Sequence, residues 1–231
     1  MTVYDTVLEN IAEPFYAATF IISIWRYPKY YNTPLKYFPV IVIYTLLNEI
    51  LGLLIGKYTD TFSLSVTTFS SNYNIVLYNI FNIIYFLYFY TLFRKYIKNI
   101  LYKKLIYYGI LIFTVTSIVN MFIQNIFRES LLFTFVFGSI MLILIVLTYL
   151  NQIDWHENKL DPTNNILFWI GWGLLVFYSG YIPIKLSNHF RVISDIDNYI
   201  WVRRLHLALI GVMYICFIVG FLKMKRKLIK D

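Results

Sequence analysis

Charge is scarce in this chain. Asp, Glu, Lys and Arg make up 14% of its 231 residues, against about 25% in a soluble domain. Too little charge is present to cover a water-facing globule. Cysteine occurs once, at Cys216, which excludes an intrachain disulfide and any cysteine-based metal cluster. Histidine occurs three times, at His156, His189 and His206. The last apolar stretch, 199–222, has no lysine, so a retinal Schiff base has no anchor there. Neither a P-loop nor a GxGxxG motif is present, and no cofactor is implied. The opening MTVYDTVLEN has no Lys or Arg. A cleavable signal needs a positive start and a small-residue cleavage site, so the first apolar stretch reads as retained.

What is abundant is apolar. The hydrophobic fraction is 59% and the mean hydropathy is +0.64. The apolar residues fall in blocks of about 20, the length that crosses about 30 Å of hydrocarbon. The pattern predicts an all-α integral membrane protein, a bundle of seven transmembrane helices. The spans are expected near 8–25, 38–56, 72–93, 105–124, 131–150, 166–184 and 199–222. The whole chain, 1–231, reads as one transmembrane domain ending in a basic tail, 223–231. The breaks carry turn chemistry: RYPKYYNTPLKYFP (26–39) has three prolines, and NQIDWHENKLDPTNN (151–165) is polar with Asp-Pro.

Positive residues set the expected orientation. Segments 26–37, 94–104, 151–165 and the tail hold 14 of the 20 Lys and Arg, whereas the alternate segments hold 4. The positive-inside rule then puts the N-terminus outside and the C-terminus in the cytoplasm of a multi-pass cell-membrane protein. The net charge of +8 thus reads as topology and contact with the lipid bilayer, not nucleic-acid binding.

The informative residues are the polar ones inside spans. YTLLNEILGLLIG (44–56) carries Asn48 and Glu49 in an otherwise apolar run. A carboxylate at membrane depth costs about 2.5–3.5 kcal/mol on insertion scales, so it should face protein or water. At 1.5 Å per residue, Glu49 lies about 10 Å from the outer end of its span. Glu13, Asn79, Asn120, Ser139, Ser179, Arg203, Arg204 and His206 fall at comparable outer depths, about 6–12 Å. The inner halves, such as ILIVL (143–147), are apolar. The set predicts an outer-half polar cavity or intramembrane ion pair built from Glu13, Asn48, Glu49, Asn79, Asn120, Ser179, Arg203, Arg204 and His206. Arg203, Arg204 or His206 is the expected cation for Glu49. A pure ion pair clamping span two to span seven is the equal alternative.

Weaker signals surround this set. Asn74, Tyr78, Asn82 and Tyr85 recur at helical spacing in span three, as bundle-facing bridging residues do. Gly171, Gly173 and Gly180 permit close helix approach, and Pro183 should bend the outer end of span six. A seven-span zinc hydrolase converges three histidines on its metal, but His156 and His189 fall in expected loops. YSGY (178–181) resembles part of the rhomboid G-x-S-G motif, with Phe177 where its first Gly should be. That resemblance would implicate Ser179 as nucleophile and His206 as base.

The expected function is a receptor-like or sensory protein. It would bind a small polar or amphipathic ligand in the outer cavity and signal through cytoplasmic loops or a partner protein. A transporter or channel subunit with Glu49 as a proton or cation site is the alternative. An intramembrane lipid-modifying enzyme is the third.

Overall fold

The computed structural model describes residues 12–57, 64–127, 129–153, 162–190 and 196–224. Seven α-helices lie among them: α1 Ala12–Arg26, α2 Phe38–Lys57, α3 Leu64–Tyr96, α4 Ile100–Ile123, α5 Leu132–Asn151, α6 Ile166–His189 and α7 Ile196–Lys223. Short 3-10 turns, Tyr27–Lys29, Pro34–Tyr37 and Pro162–Asn164, join them, and no strand occurs among the described residues. Six stretches are long and apolar enough to cross a bilayer: Pro34–Leu51, Ile75–Tyr96, Ile100–Ile123, Leu132–Asn151, Ile166–His189 and Ile200–Lys223. The protein is an all-α membrane protein.

Local chemistry sets the helix starts. Asn99 Oδ1 accepts the Leu101 N–H at 2.8 Å to open α4, and Asn165 Oδ1 accepts the Leu167 N–H at 3.0 Å to open α6. Each satisfies an amide that the first turn leaves without a partner. Thr33 accepts the Leu35 N–H at 3.3 Å, and Pro34 supplies the fixed φ for the turn after it. The C-terminus of α7 is closed by cations from the α1–α2 connection. Arg26 Nη2 donates to the Leu222 carbonyl at 3.3 Å and Lys29 Nζ to the Met224 carbonyl at 2.9 Å, a favourable placement at a helix's negative end.

Three boundaries depart from the sequence expectation. The expected basic loop 94–104 shrinks to Ile97–Asn99, because α3 runs to Tyr96 and α4 begins at Ile100. Lys and Arg are good helix formers whose heads reach water while their stems stay on the helix, so a basic run does not end one. Likewise α3 starts at Leu64 rather than near 72. α6 continues past Pro183 to His189, five residues beyond its expected end at 184. Lys185 therefore sits on a helix and not in a loop. The first helix is described over 15 residues, about 22 Å long. Its expected start near residue 8, His156, Arg128, Arg191 and the tail beyond 224 lie outside the described residues, as do the side chains of Asn72 and Asn74.

Packing between neighbours gives the cross-section. α1 packs on α2 and α7, α2 on α3, α3 on α5, α5 on α6, and α6 most extensively on α7. These six contacts close a ring. α4 packs on α3 and α5 only, outside it. Its outward face is correspondingly bare, with Val115 60%, Phe122 87% and Ile123 76% exposed. Large apolar patches of this kind signal a non-aqueous neighbour, here the hydrocarbon of the membrane.

The inside of the ring is aromatic. Phe38 of α2 meets Phe89 of α3 and Phe217 and Phe221 of α7, with centroids 5.2–6.4 Å apart, and all four are fully or almost fully buried. A second layer joins Tyr85 and Phe86 of α3, Phe135 of α5 and Tyr178 of α6. Glycines allow the closest approach. A Cβ on Gly173 would lie 2.9 Å from the Met213 carbonyl oxygen, and one on Gly220 2.9 Å from the Trp169 Cβ. α6 and α7 therefore touch backbone to backbone, the small-residue packing of membrane helices.

Candidate functional site: a polar cavity at the Glu49 end

Glu49 lies eleven residues along α2 from Phe38, so it sits about 16 Å from the Phe38 ring layer. There the bundle opens into a cavity of about 250 Å³ lined by Thr45, Asn48, Glu49, Ile75, Tyr78, Asn79, Phe81, Ser130 and Lys185. Four elements build it: α2, α3, the α4–α5 turn and the end of α6. The volume is just below the roughly 300–1,000 Å³ of sites for drug-sized molecules, which suits a compact ligand.

Asn79 holds one wall in place. Its Nδ2 donates to the carbonyls of Ile126 at 3.2 Å and Glu129 at 2.9 Å, and its Oδ1 accepts the Leu131 N–H at 3.1 Å. One buried amide thus ties α3 to the turn that carries Ser130. A few residues away, Asn120 Nδ2 donates to Thr134 Oγ1 at 2.9 Å and Gln124 Oε1 at 3.3 Å, joining α4 to α5. Asn120 does not line the cavity, and its bonds account for it as a helix bridge.

Behind Tyr78 and Thr45 of the cavity lies a polar aromatic cluster. Tyr78 hydrogen-bonds to Tyr181 and Asn82, and the Tyr214 hydroxyl bonds to Thr45. Thr45 itself donates to the Ile41 carbonyl at 2.9 Å. His206 stacks on Tyr181, with centroids 4.2 Å apart and planes 10° from parallel. Tyr16 of α1 meets Tyr214 edge-on at 4.6 Å. Tyr78 thus lines the cavity, and the tyrosines behind it continue into the bundle as the Tyr85–Tyr178 pair.

The charges divide between the cavity and the helix faces beyond it. Glu49 keeps solvent access through the cavity. Glu13 is near enough to act on it electrostatically, so two carboxylates share this end. The cation on the cavity wall is Lys185, whose ammonium also lies 5.7 Å from the centre of the Phe135 ring. The cations expected for Glu49, namely Arg203, Arg204 and His206, do not line the cavity. Arg204 lies over the Trp201 ring at 5.6 Å, and Arg203 is exposed. Lys185 is close enough to His206 to act on it electrostatically. Oε2 of Glu13 and Nδ2 of Asn48 are buried without a hydrogen-bond partner, polar capacity that a bound molecule could take up.

Ser179 falls on an exposed face of α6, while Tyr178 and Tyr181 face the ring. No hydrogen bond joins it to His206, so the nucleophile–base pair that the YSGY motif would need is not assembled. Of the candidate residues, Asn48, Glu49 and Asn79 line one cavity; Glu13 acts on Glu49 electrostatically and His206 stacks on Tyr181 behind Tyr78; Asn120, Ser179, Arg203 and Arg204 do not line it. Lys185 and the tyrosines of α6 and α7 were missed in the sequence, whereas the helical spacing of Tyr78 and Tyr85 had marked those two as bundle-facing. Lys185 lies one residue past the expected end of span six. Tyr178, Tyr181 and Tyr214 were hidden by the abundance of their own kind, 22 in the chain. Tyr178 with Tyr181 is the signal, since the pair shares a helix face. No protein-family model, curated protein or solved structure matches this chain.

Proposed function

We propose that the chain is a receptor-like or sensory membrane protein that holds a small polar or amphipathic molecule in the Glu49 cavity. Its seven helices cross the cell membrane with the N-terminus outside and the C-terminus in the cytoplasm. α1 counts as a span because it occupies a full place in the ring, with Ile21 and Trp25 each 65% exposed on its outer side. The ligand offers an amino group to Glu49 and an acceptor to Lys185 or Asn48. Its binding shifts the helices that the tyrosine cluster joins. The cytoplasmic turns, or a partner there, read the shift.

One observation carries this reading: the polar cavity ends on aromatic rings. Phe38, Phe89, Phe217 and Phe221 fill the ring below it with almost no exposed surface. A channel needs polar or broken-helix lining through its full depth. The test is thiol accessibility in native membranes. Cys216 is replaced, and single cysteines are placed at Glu49, Ser130 and Lys185 in the cavity and at Met213 below it. A membrane-impermeant maleimide should label the first three from outside only and Met213 from neither side. Absence of labelling at all three cavity positions would refute the open cavity.

A transporter is the second reading, favoured by the two carboxylates at Glu13 and Glu49, a familiar setting for a coupling ion. Cavity positions labelled from outside in one condition and from inside in another would establish it instead.

A further inference from the structure

A second and larger cavity lies at the other end of the bundle from the Glu49 site. It measures about 1010 Å³ and runs between the α1–α2 connection, the last turns of α3 and the first turns of α4. That volume reaches the upper end of the roughly 300–1,000 Å³ typical of small-molecule sites. Its cations are Lys36, Arg94, Lys95 and Lys103, and no carboxylate lines it among the described residues. Topology accounts for basic residues at this end of the bundle, but not for four of them lining one cavity. Their mutual repulsion is a cost unless an anion joins them.

The rim is partly preorganised. Arg94 Nε donates to the Lys103 carbonyl at 3.0 Å, and its guanidinium lies 5.0 Å from the centre of the Tyr107 ring. This fixes one cation by tying the end of α3 to the start of α4. The Lys36 ammonium lies 4.8 Å from the Tyr37 ring. The Lys95 and Lys36 side chains are exposed, while Lys103 is half-buried. Cations held on aromatic rings at a membrane end keep their charge at the height of lipid phosphates.

Depth gives the second half of the argument. Tyr88, Thr91 and Leu92 also line the groove. Tyr88 is eight residues before the end of α3, so the groove descends about 12 Å from its basic rim. A free phosphate would need only the rim. The lower part is aromatic and aliphatic, and it holds one orphan: the Tyr88 hydroxyl is buried with no hydrogen-bond partner. A buried donor without an acceptor implies a missing group. A glycerophospholipid fits both halves, with its phosphate among the cations and an ester carbonyl within reach of Tyr88.

We propose that this groove is a binding site for a phosphate headgroup, carried by an anionic phospholipid of the leaflet that faces the basic end. The site is independent of the Glu49 cavity.

The test is native mass spectrometry of the full chain, released from nanodiscs that mix phosphatidylglycerol with phosphatidylcholine. Wild type should retain one phosphatidylglycerol per chain in preference to phosphatidylcholine. Lys36→Gln with Lys95→Gln should cut retention at least tenfold. Lys98→Gln with Lys104→Gln is the control: it removes the same charge from the same end, at positions that do not line the groove, and should retain the lipid. Tyr88→Phe, which keeps the ring, should weaken retention severalfold. If inorganic phosphate at millimolar concentration displaces the lipid, the phosphate site stands and its natural ligand can be soluble. Equal loss in both double variants would overturn the proposal, because diffuse charge would then suffice. Lack of any preference for the anionic lipid in wild type would overturn it as well.

Discussion

Removing the Asn79 amide tests whether the cavity wall is held as described. Three hydrogen bonds depend on this side chain, two donated to the Ile126 and Glu129 carbonyls and one accepted from the Leu131 N–H. Asn79→Ala deletes all three and leaves the turn's backbone groups to find water. Intramembrane hydrogen bonds average about 0.6 kcal/mol each, and buried bonds in soluble proteins about 1 kcal/mol. Three of them give a loss of about 2–3 kcal/mol. At about 2–4 °C per kcal/mol for a chain of this size, the melting temperature should fall by about 4–12 °C. Asn79→Asp should be at least as harmful. It keeps the acceptor for Leu131 but turns an oxygen toward two carbonyl oxygens. The assay is thermal unfolding in a mild detergent, paired with hydrogen exchange across 124–131. Exchange should accelerate in that turn and at Ser130, while the Phe38–Phe217 layer keeps its protection. A melting temperature within about 1 °C of wild type, with unchanged exchange in the turn, would refute the assignment of Asn79 as the turn's anchor.

Two further substitutions probe the ring. Gly173→Ala places a Cβ 2.9 Å from the Met213 carbonyl oxygen, whereas Gly211→Ala meets only a Phe15 ring atom at 3.5 Å. The first should destabilise the α6–α7 pair by about 1–3 kcal/mol, and the second should be neutral or stabilising, since Ala gains about 0.8–1 kcal/mol over Gly in a helix; equal melting temperatures would remove the close-approach argument. His206→Phe should keep the stack on Tyr181 and most of the stability, whereas His206→Ala should lose about 0.5–1.5 kcal/mol of ring pairing plus packing. Equal losses in the two, measured by detergent melting, would mean that the imidazole nitrogens and not the ring face matter there.

Much of the architecture could be read from one physical fact: a bilayer admits few structures. Backbone groups in hydrocarbon must be satisfied within the segment, so apolar blocks of about 20 residues become helices whatever their side chains. Hence α2, α5 and α7 begin and end within three residues of their expected positions. The misses fall where that constraint stops. At the membrane ends, water can satisfy the backbone, and hydropathy no longer says whether the helix continues. The basic residues 100–104 and the segment 64–71 are helical for this reason, although their composition resembles that of a loop. Lateral order was also beyond reach. Nothing in the apolar pattern of α4 distinguishes its place outside the ring from a place within it.

The same limit explains the site. Depth along a helix is arithmetic, and it brought Asn48, Glu49, Asn79 and His206 to one end of the bundle. Azimuth is not arithmetic, because outside the Tyr78–Tyr85 stripe of α3 most faces of these helices are apolar and leave the rotation open. Arg203 and Arg204 are neighbours in sequence and so point about 100° apart. His206 lies three residues beyond Arg203, yet Arg203 is exposed while His206 packs on Tyr181. Lys185 shows the converse. It sits four residues after Tyr181 on α6 and hence on the same face, so the Tyr181–His206 stack and the cavity cation belong to a single helical stripe. A stripe written Tyr178, Tyr181, Lys185 at spacings of three and four reads as inward-facing once Pro183 is allowed inside the helix. Proline is tolerated there because membrane helices can re-satisfy the backbone group that it frees. The residue that would have located the cavity was missed because the expected span ended at 184, one residue short of it, where hydropathy no longer says whether the helix continues.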